Sequence, residues 1–147
     1  MSLTANIKAI RDIMRKDAGV DGDAQRISQM VWMLFLKIFA DKEEEWELVL
    51  DDYNSPIPSE LKWNSWAANE EGLTGDPLMD FVNNQLFPTL KELNITISPQ
   101  ARIIRSVFDD TFNYMKNGTL FRQVINEINK IDFNDSSDSH IFNDIYE

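Results

Sequence analysis

The architecture of this chain follows from the segment Ile27-Ser28-Gln29-Met30-Val31-Trp32-Met33-Leu34-Phe35-Leu36-Lys37-Ile38-Phe39. Its apolar residues recur at intervals of three and four, the period of an α-helix, and so form one stripe. Asp23 is in position to cap this helix, and Trp32, Met33 and Leu36 extend the stripe around the cylinder. The segment therefore predicts a central helix, buried on most sides, with a core formed by Met30, Val31, Leu34, Phe35 and Ile38.

A second apolar stripe precedes this segment and predicts a first helix that ends before Gly19. Its members, again spaced by three and four, are Leu3, Ile7, Ile10, Ile13 and Met14. The other faces of that helix carry Lys8, Arg11, Arg15 and Lys16. On the far side of the central segment, the acidic run over residues 41–47 either continues the central helix or opens a short helix through Leu50.

The helical pattern breaks between residues 51 and 76. Pro56 and Pro58 interrupt regular structure, and Trp63 and Trp66 lie in a stretch with no clear period. We expect one long irregular loop here, anchored to the core by the two tryptophans, since their large apolar rings favour burial. Stacking on nucleic-acid bases is the alternative role for these rings.

Three later helices are predicted from their start signals. Asp76-Pro77 and Ser98-Pro99 each pair a capping side chain with a proline at the first helical position, and Thr119 can cap a helix after Asn117-Gly118. Pro88 should kink or divide the first of the three. With no convincing strand, the prediction is an all-α protein, a compact multi-helix bundle of about five to seven helices with one long irregular loop around residues 51–76.

The end of the chain has a different character. Residues 134–139 are polar and predict a linker, whereas the aromatic-rich run over residues 140–147 looks like the opening turns of another helix. We therefore expect a helical domain over residues 1–133, with residues 134–147 forming a linker and the start of a following domain of a longer protein. The candidates for contact with that domain are Ile141, Phe142, Ile145 and Tyr146.

Composition excludes several classes of site. The chain has no cysteine, so disulfides, cysteine-ligated metals and a thiol nucleophile are ruled out. It lacks the basic and apolar segments of a secretory signal and any apolar run long enough to span a membrane, which favours a cytoplasmic protein.

The net charge of -11 is unevenly distributed. Residues 41–60 carry one base and eight acids, and residues 131–147 carry five acids and no base, whereas residues 1–40 and 101–130 each have two more bases than acids. A wholly acidic surface would bind DNA poorly, because Lys and Arg supply most of the affinity for phosphate. Two local basic regions nevertheless remain.

Residues that could carry out chemistry are scarce. No Gly-x-Gly loop could cradle a nucleotide, and the Asn/Asp-Pro-Pro-aromatic motif of amino-methylating enzymes is missing. The lone His140 has no partner for acid-base or metal work. Glu43, Glu44, Glu45 and Glu47 could bind a hard cation, but their successive positions point them around a helix and favour a solvated acidic face. We predict no catalytic, cofactor-binding or metal-binding residue within this chain.

Four segments, taken in order, resemble one family. They are residues 33–41 (MLFLKIFAD), the step Leu86-Phe87-Pro88, residues 124–133 (VINEINKIDF) and residues 140–147 (HIFNDIYE). Together they are similar to the N-terminal helical domain of the modification (M, methyltransferase) subunit of type I restriction-modification systems. The resemblance spans nearly the whole chain.

The resemblance implies an S-adenosylmethionine-dependent DNA adenine-N6 methyltransferase subunit of a bacterium or archaeon. It would work on DNA with a specificity subunit and a restriction subunit, and its cofactor and catalytic motifs would follow this non-catalytic domain. Such a domain could clamp the duplex or dock on the specificity subunit. The candidates for phosphate contact are the basic residues of two predicted helices, Lys8, Arg11, Arg15, Lys16, Arg102 and Arg105. An acidic interaction protein, either a DNA mimic or an assembly scaffold, is the alternative.

Overall fold

The computed structural model describes residues 3–131, and every regular element within that span is helical. The α-helices are α1 (Leu3–Met14), α2 (Gly22–Val49), α3 (Trp63–Trp66), α4 (Gly75–Phe81), α5 (Phe87–Lys91), α6 (Pro99–Asp109) and α7 (Gly118–Asn129). The all-α prediction is confirmed. The predicted linker and the contact candidates Ile141, Phe142, Ile145 and Tyr146 lie outside the described residues. Within the described span, no helix combines the length and the apolar character needed to cross a membrane.

Helix α2 is the central element, and it runs for 28 residues straight through the acidic run. It begins two residues earlier than its predicted cap suggested, because Asp21 is the N-cap residue and Asp23 lies inside the first turn. Its sequence after Gly22 contains neither glycine nor proline, so nothing interrupts the backbone hydrogen bonds. The acidic residues thus continue the central helix and do not form a separate one.

The buried arc of α2 differs from the predicted stripe. Met30 and Leu34 are buried as predicted, but Val31, Phe35 and Ile38 are only partly buried. The remaining central positions are taken by residues expected only to extend the stripe, Trp32, Met33 and Leu36. The physical reason is that α2 packs against α1, α3 and α7, so its buried surface wraps around toward Trp32.

Aromatic rings from three other helices surround Trp32. Its ring centroid lies 4.8 Å from that of Phe87 in α5, 6.0 Å from Phe108 in α6 and 5.9 Å from Phe121 in α7. The contacts with Phe87 and Phe108 are edge-to-face, an arrangement favoured by the quadrupoles of the rings. Trp32 therefore joins the N-terminal half of the bundle to the C-terminal half.

The segment over residues 51–76 is irregular as predicted, apart from a 3-10 turn at Ser59–Leu61 and the single turn of α3. Both of its tryptophans are buried. The indole N–H of Trp63 donates to Asn129 Oδ1 at 2.7 Å, and that of Trp66 donates to the Leu61 carbonyl at 3.0 Å. The predicted anchoring role is confirmed, and these rings are not available for base stacking.

A buried arginine of α7 holds the same loop from the other side. The guanidinium of Arg122 donates to the backbone carbonyls of Trp66, Ala67, Asn69 and Leu73 at 2.7–3.0 Å. Burial lowers the pKa of Arg122, since removing a cation from water costs free energy. Its charge is balanced by carbonyl dipoles, so Arg122 closes the end of α3 and fixes the loop to α7.

Of the three predicted helix caps, the one at Ser98 is confirmed and the ones at Asp76 and Thr119 are wrong. Ser98 caps α6 as predicted, accepting the N–H of Ala101 at 3.2 Å. Helix α4 begins at Gly75, before the predicted cap Asp76, with Thr74 as its N-cap residue. Asn117, and not Thr119, caps α7 by accepting the N–H of Leu120 at 3.0 Å. The division expected at Pro88 is present, because a π-helical turn over Val82–Leu86 separates α4 from α5.

Two buried polar side chains fix the segment between α6 and α7. The carboxylate of Asp17 accepts the backbone N–H groups of Gly19, Lys116 and Asn117 at 2.8–3.1 Å. The side chain of Gln29 accepts the N–H of Tyr114 at 2.7 Å. A Cβ atom at Gly19 would lie 2.1 Å from the Tyr114 carbonyl oxygen, so only glycine permits this approach. The turn between α1 and α2 is thereby held in place beside the basic residues described next.

Candidate nucleic-acid interface

Three arginines converge where α1 ends and α2 begins. Arg11 lies in the last turn of α1, Arg15 follows it by four residues, and Arg26 lies in the second turn of α2. Together with Asp23 and Ile27 they line one depression of about 200 Å³. We refer to Arg11, Arg15 and Arg26 as the arginine cluster.

Arg26 was not among the residues predicted from sequence, whereas Arg11 and Arg15 were. The spacing of four residues between Arg11 and Arg15 places them on one helix face, which a periodicity argument can find. Arg26 joins them only because α2 packs back against α1 after the turn held by Asp17. No other basic residue lies within nine positions of Arg26 in the sequence, so a periodicity argument cannot find it.

Charge in the depression is only partly balanced. Arg26 hydrogen-bonds Asp23, and this bond and the guanidinium charge lower the pKa of the Asp23 carboxyl, with smaller effects in the same direction from Arg15 and Arg11. The Arg26 side chain is 15% exposed, and its Nε is a buried donor without a hydrogen-bond partner in the described part of the chain. Among the residues that line the depression, three guanidinium groups are thus set against the single carboxylate of Asp23.

Arg15 forms a weak ion pair with Asp12. Its Nη1 lies 3.3 Å from Asp12 Oδ1, with both side chains more than half exposed. Exposed pairs of this kind contribute about 0–1 kcal/mol and are easily exchanged for another anion. Arg15 is therefore available to bind a ligand.

The N-terminus of α2 adds a further positive potential to the same place. The side chain of Asp21 makes no capping hydrogen bond. The backbone N–H of Asp21 donates to Gln25 Oε1 at 2.7 Å. The first N–H groups of a helix carry a partial positive charge, which attracts anions. Three arginines thus line the depression, and α2 contributes to it Asp23, Arg26 and Ile27 from its first two turns.

The other predicted candidates are not brought into this depression. Lys8 and Lys16 are exposed but do not line it. Arg102 and Arg105 are exposed on α6, which packs against α5, and Nη1 of Arg105 donates to the Leu93 carbonyl at 3.2 Å. Within the described residues the basic side chains thus form two separate faces, and the one on α1 and α2 lines a depression.

The acidic run of α2 is not uniformly solvated, which corrects one expectation. Glu43 is buried and accepts the hydroxyl of Tyr53 at 2.7 Å, while Glu44, Glu45 and Glu47 are exposed. Burial, followed by the bond to Glu43, raises the pKa of Tyr53. Within the described residues, no group of three or more His, Asp or Glu side chains is arranged to hold a metal ion.

Comparison with known proteins identifies the class to which this helical fold belongs. The chain matches the HsdM N-terminal domain family over residues 3–128. It is 59% identical over 149 residues to the type I restriction enzyme EcoEI methylase subunit of Escherichia coli, covering 100% of this chain and 30% of that protein. The chain thus spans about a third of the length of this relative.

Two solved structures share the fold. A modification subunit assigned to a type I restriction enzyme of Vibrio vulnificus YJ016 superposes with a TM-score of 0.84 at 35% identity, over 98% of this chain and 33% of that chain. A second structure, which addresses complex assembly and conformational transition of the type I R-M system, superposes with a TM-score of 0.83 at 30% identity. The match covers 98% of this chain and 28% of that chain. The chain belongs to the HsdM N-terminal domain family and corresponds to the N-terminal domain of a type I restriction-modification methylase subunit.

Proposed function

We propose that this domain positions DNA for a site-specific, S-adenosylmethionine-dependent adenine-N6 methyltransferase, and that the arginine cluster is its phosphate-binding site. The observation that carries the proposal is the convergence of Arg11, Arg15 and Arg26 on one depression at the start of α2. Guanidinium groups bind phosphate through paired hydrogen bonds, so a concave group of three fits a DNA backbone better than scattered lysines do.

In this proposal the domain supplies no chemistry. A methyltransferase that acts on a base must extrude it from the duplex, and the duplex must be held while that happens. Phosphate contacts set register and orientation without reading sequence. Sequence reading is assigned to a specificity subunit, cleavage to a restriction subunit, and cofactor binding and methyl transfer to the part of the methylase subunit that this chain does not span. The complex would work in the cytoplasm, where its DNA substrate is found.

The test is a pair of charge reversals in the full complex of methylase and specificity subunits. Replacing Arg11→Glu and Arg15→Glu should weaken DNA binding and reduce the dependence of log K on log salt by about 2, because each phosphate contact contributes about 0.9. The matched control is Arg102→Glu with Arg105→Glu, which makes the same change in charge on α6. Cofactor affinity should stay at the parent value in both.

A single substitution tests whether DNA binding by the arginine cluster can be strengthened. Asp23→Asn removes the carboxylate that competes with phosphate for Arg26, so it should tighten DNA binding.

If the reversal at Arg11 and Arg15 leaves binding and methylation at the parent level across a range of salt concentrations, the proposal fails. A loss seen only in the α6 variant would also overturn it. The reading as a DNA mimic predicts that neither reversal weakens DNA binding.

A further inference from the structure

Exposed apolar side chains lie at the C-terminal end of α2. Leu48 is 87% exposed and Val49 73% exposed at the end of the helix, and Ile97, on the loop before α6, is 66% exposed. Val49, Leu50 and Ile97 line one groove of about 640 Å³ together with Tyr53. Exposed apolar patches of this kind in a soluble domain mark interaction sites, because leaving them in water costs free energy. We call this surface the C-terminal groove.

The walls of the C-terminal groove are held in place by contacts outside it. The hydroxyl of Tyr53 donates to the buried Glu43, and its ring centroid lies 5.5 Å from that of Trp46. On the opposite wall, Ser98 caps α6 through its side chain, which fixes the residue next to Ile97. A preformed groove of this kind loses less conformational entropy when it binds a partner.

The charge around the groove specifies the occupant. Asp51 and Asp52 form part of its lining, and the C-terminus of α2 carries a partial negative charge. Glu45 and Glu47 on the last turns of that helix are exposed, but each is paired with a lysine, Lys42 and Lys62 respectively. An apolar surface with an acidic rim fits a segment that combines apolar side chains with Lys or Arg.

The charge of this chain argues against self-occupancy. Residues 131–147 carry five acids and no base, so the chain that follows the domain would be repelled by the acidic rim. A second copy would bring another net charge of -11, and a symmetric contact would place one acidic rim against the other. The complementary surface is therefore expected to be basic and to lie outside residues 1–147.

We propose that the C-terminal groove docks a basic, amphipathic segment of another subunit in the assembled complex. The inference rests on the proposed function only in taking that complex as its setting, and it does not depend on the arginine cluster. It assigns the acidic end of α2, which the proposed function leaves without a role, to holding the domain against its neighbour.

The experiment is site-specific photo-crosslinking in the complete three-subunit complex, without DNA. A benzoylphenylalanine replaces Leu48, beside the groove, and the matched control carries it at Phe112, an exposed apolar position beyond the far end of α6. The expected result is a crosslink from position 48, absent from position 112, to a segment of another subunit in which Lys or Arg alternates with apolar residues at helical spacing. A crosslink within the same chain, a crosslink to a second methylase subunit, or equal yields at the two positions would overturn the proposal.

Two variants separate the apolar and electrostatic parts of the contact. Val49→Ser with Ile97→Ser should weaken subunit association at least about tenfold with the circular dichroism spectrum unchanged, since both side chains are exposed. Asp51→Asn with Asp52→Asn should flatten the salt dependence of association, whereas Glu70→Gln with Glu71→Gln, two exposed acids in another loop, should not. Parent affinity in both groove variants would refute docking there. Because no DNA is present, this result is independent of the test of the arginine cluster.

Discussion

At the scale of single residues, the fold depends on a few buried polar groups that join distant parts of the chain. Arg122 binds carbonyl groups 49 to 56 positions earlier in sequence, and Asp17 binds N–H groups 99 and 100 positions later. Carbonyl and N–H groups buried without partners cost about 1–3 kcal/mol each, so each of these side chains stabilises a whole segment.

Arg122→Ala should therefore lower the free energy of unfolding by about 3 kcal/mol or more, because several buried carbonyls lose their donors together. Arg122→Lys should be intermediate, since an ammonium group cannot match the planar fork that reaches four diverging carbonyls. Urea unfolding followed by tryptophan fluorescence measures both. Arg102→Ala, at an exposed position, is the control and should change stability by less than about 0.5 kcal/mol. Equal stabilities for the Arg122 and Arg102 variants would contradict this role.

Features that depend on neighbouring residues in the sequence could be predicted, whereas features that depend on distant residues could not. The cap at Ser98 and the pair Arg11 and Arg15 depend on residues a few positions apart, so their spacing is visible in the chain. Arg26 and Arg122 acquire their roles from helices that pack beside them, and no pattern within a short window records that. A basic residue in an amphipathic helix is most often solvated, so the sequence does not predict that Arg122 is buried.

At the scale of elements, α2 shows both what periodicity predicts and what it leaves open. Recurrence at three and four residues established the helix, but the same pattern left its buried arc uncertain. Ile27, part of the predicted stripe, is 41% exposed, whereas Trp32 and Met33 are fully buried. Which arc becomes buried depends on where the neighbouring helices pack.

Two truncations on α2 should consequently differ in effect although both fall on the predicted stripe. Leu34→Ala should cost roughly 2–5 kcal/mol, because Leu34 is fully buried and its removal leaves a cavity. Ile27→Ala should cost less than about 1 kcal/mol, because much of that side chain is already in water. Chemical denaturation of the two variants in parallel checks the contrast, and a loss below about 1 kcal/mol for Leu34→Ala would remove α2 from the centre of the bundle.

At the scale of the whole molecule, α2 separates two surfaces of opposite chemistry. From Arg26 to Val49 the helix rises about 35 Å at 1.5 Å per residue, and it contains no glycine or proline over that length. The arginine cluster lies at its N-terminal end and the acidic C-terminal groove at the other. The net charge of -11 therefore conceals a separation of charge along one continuous helix, so the proposed DNA contact and the proposed protein contact would lie at opposite ends and would not compete.

This separation predicts that the two surfaces act independently. Sites far beyond 10 Å apart with no shared partners usually show additive effects, to within about 0.5 kcal/mol or roughly twofold in affinity. Arg11→Glu with Arg15→Glu should weaken DNA binding and leave subunit association within about twofold of the parent. Val49→Ser with Ile97→Ser should weaken subunit association and leave DNA binding within about twofold of the parent, provided that DNA binding is measured at subunit concentrations that saturate assembly. The combined variant should show the sum of the two effects in free energy, measured by titration of labelled DNA and by sedimentation. Coupling above about 1 kcal/mol would show that binding at one end of α2 alters the other, and that the helix transmits a conformational change in addition to spacing two independent contacts.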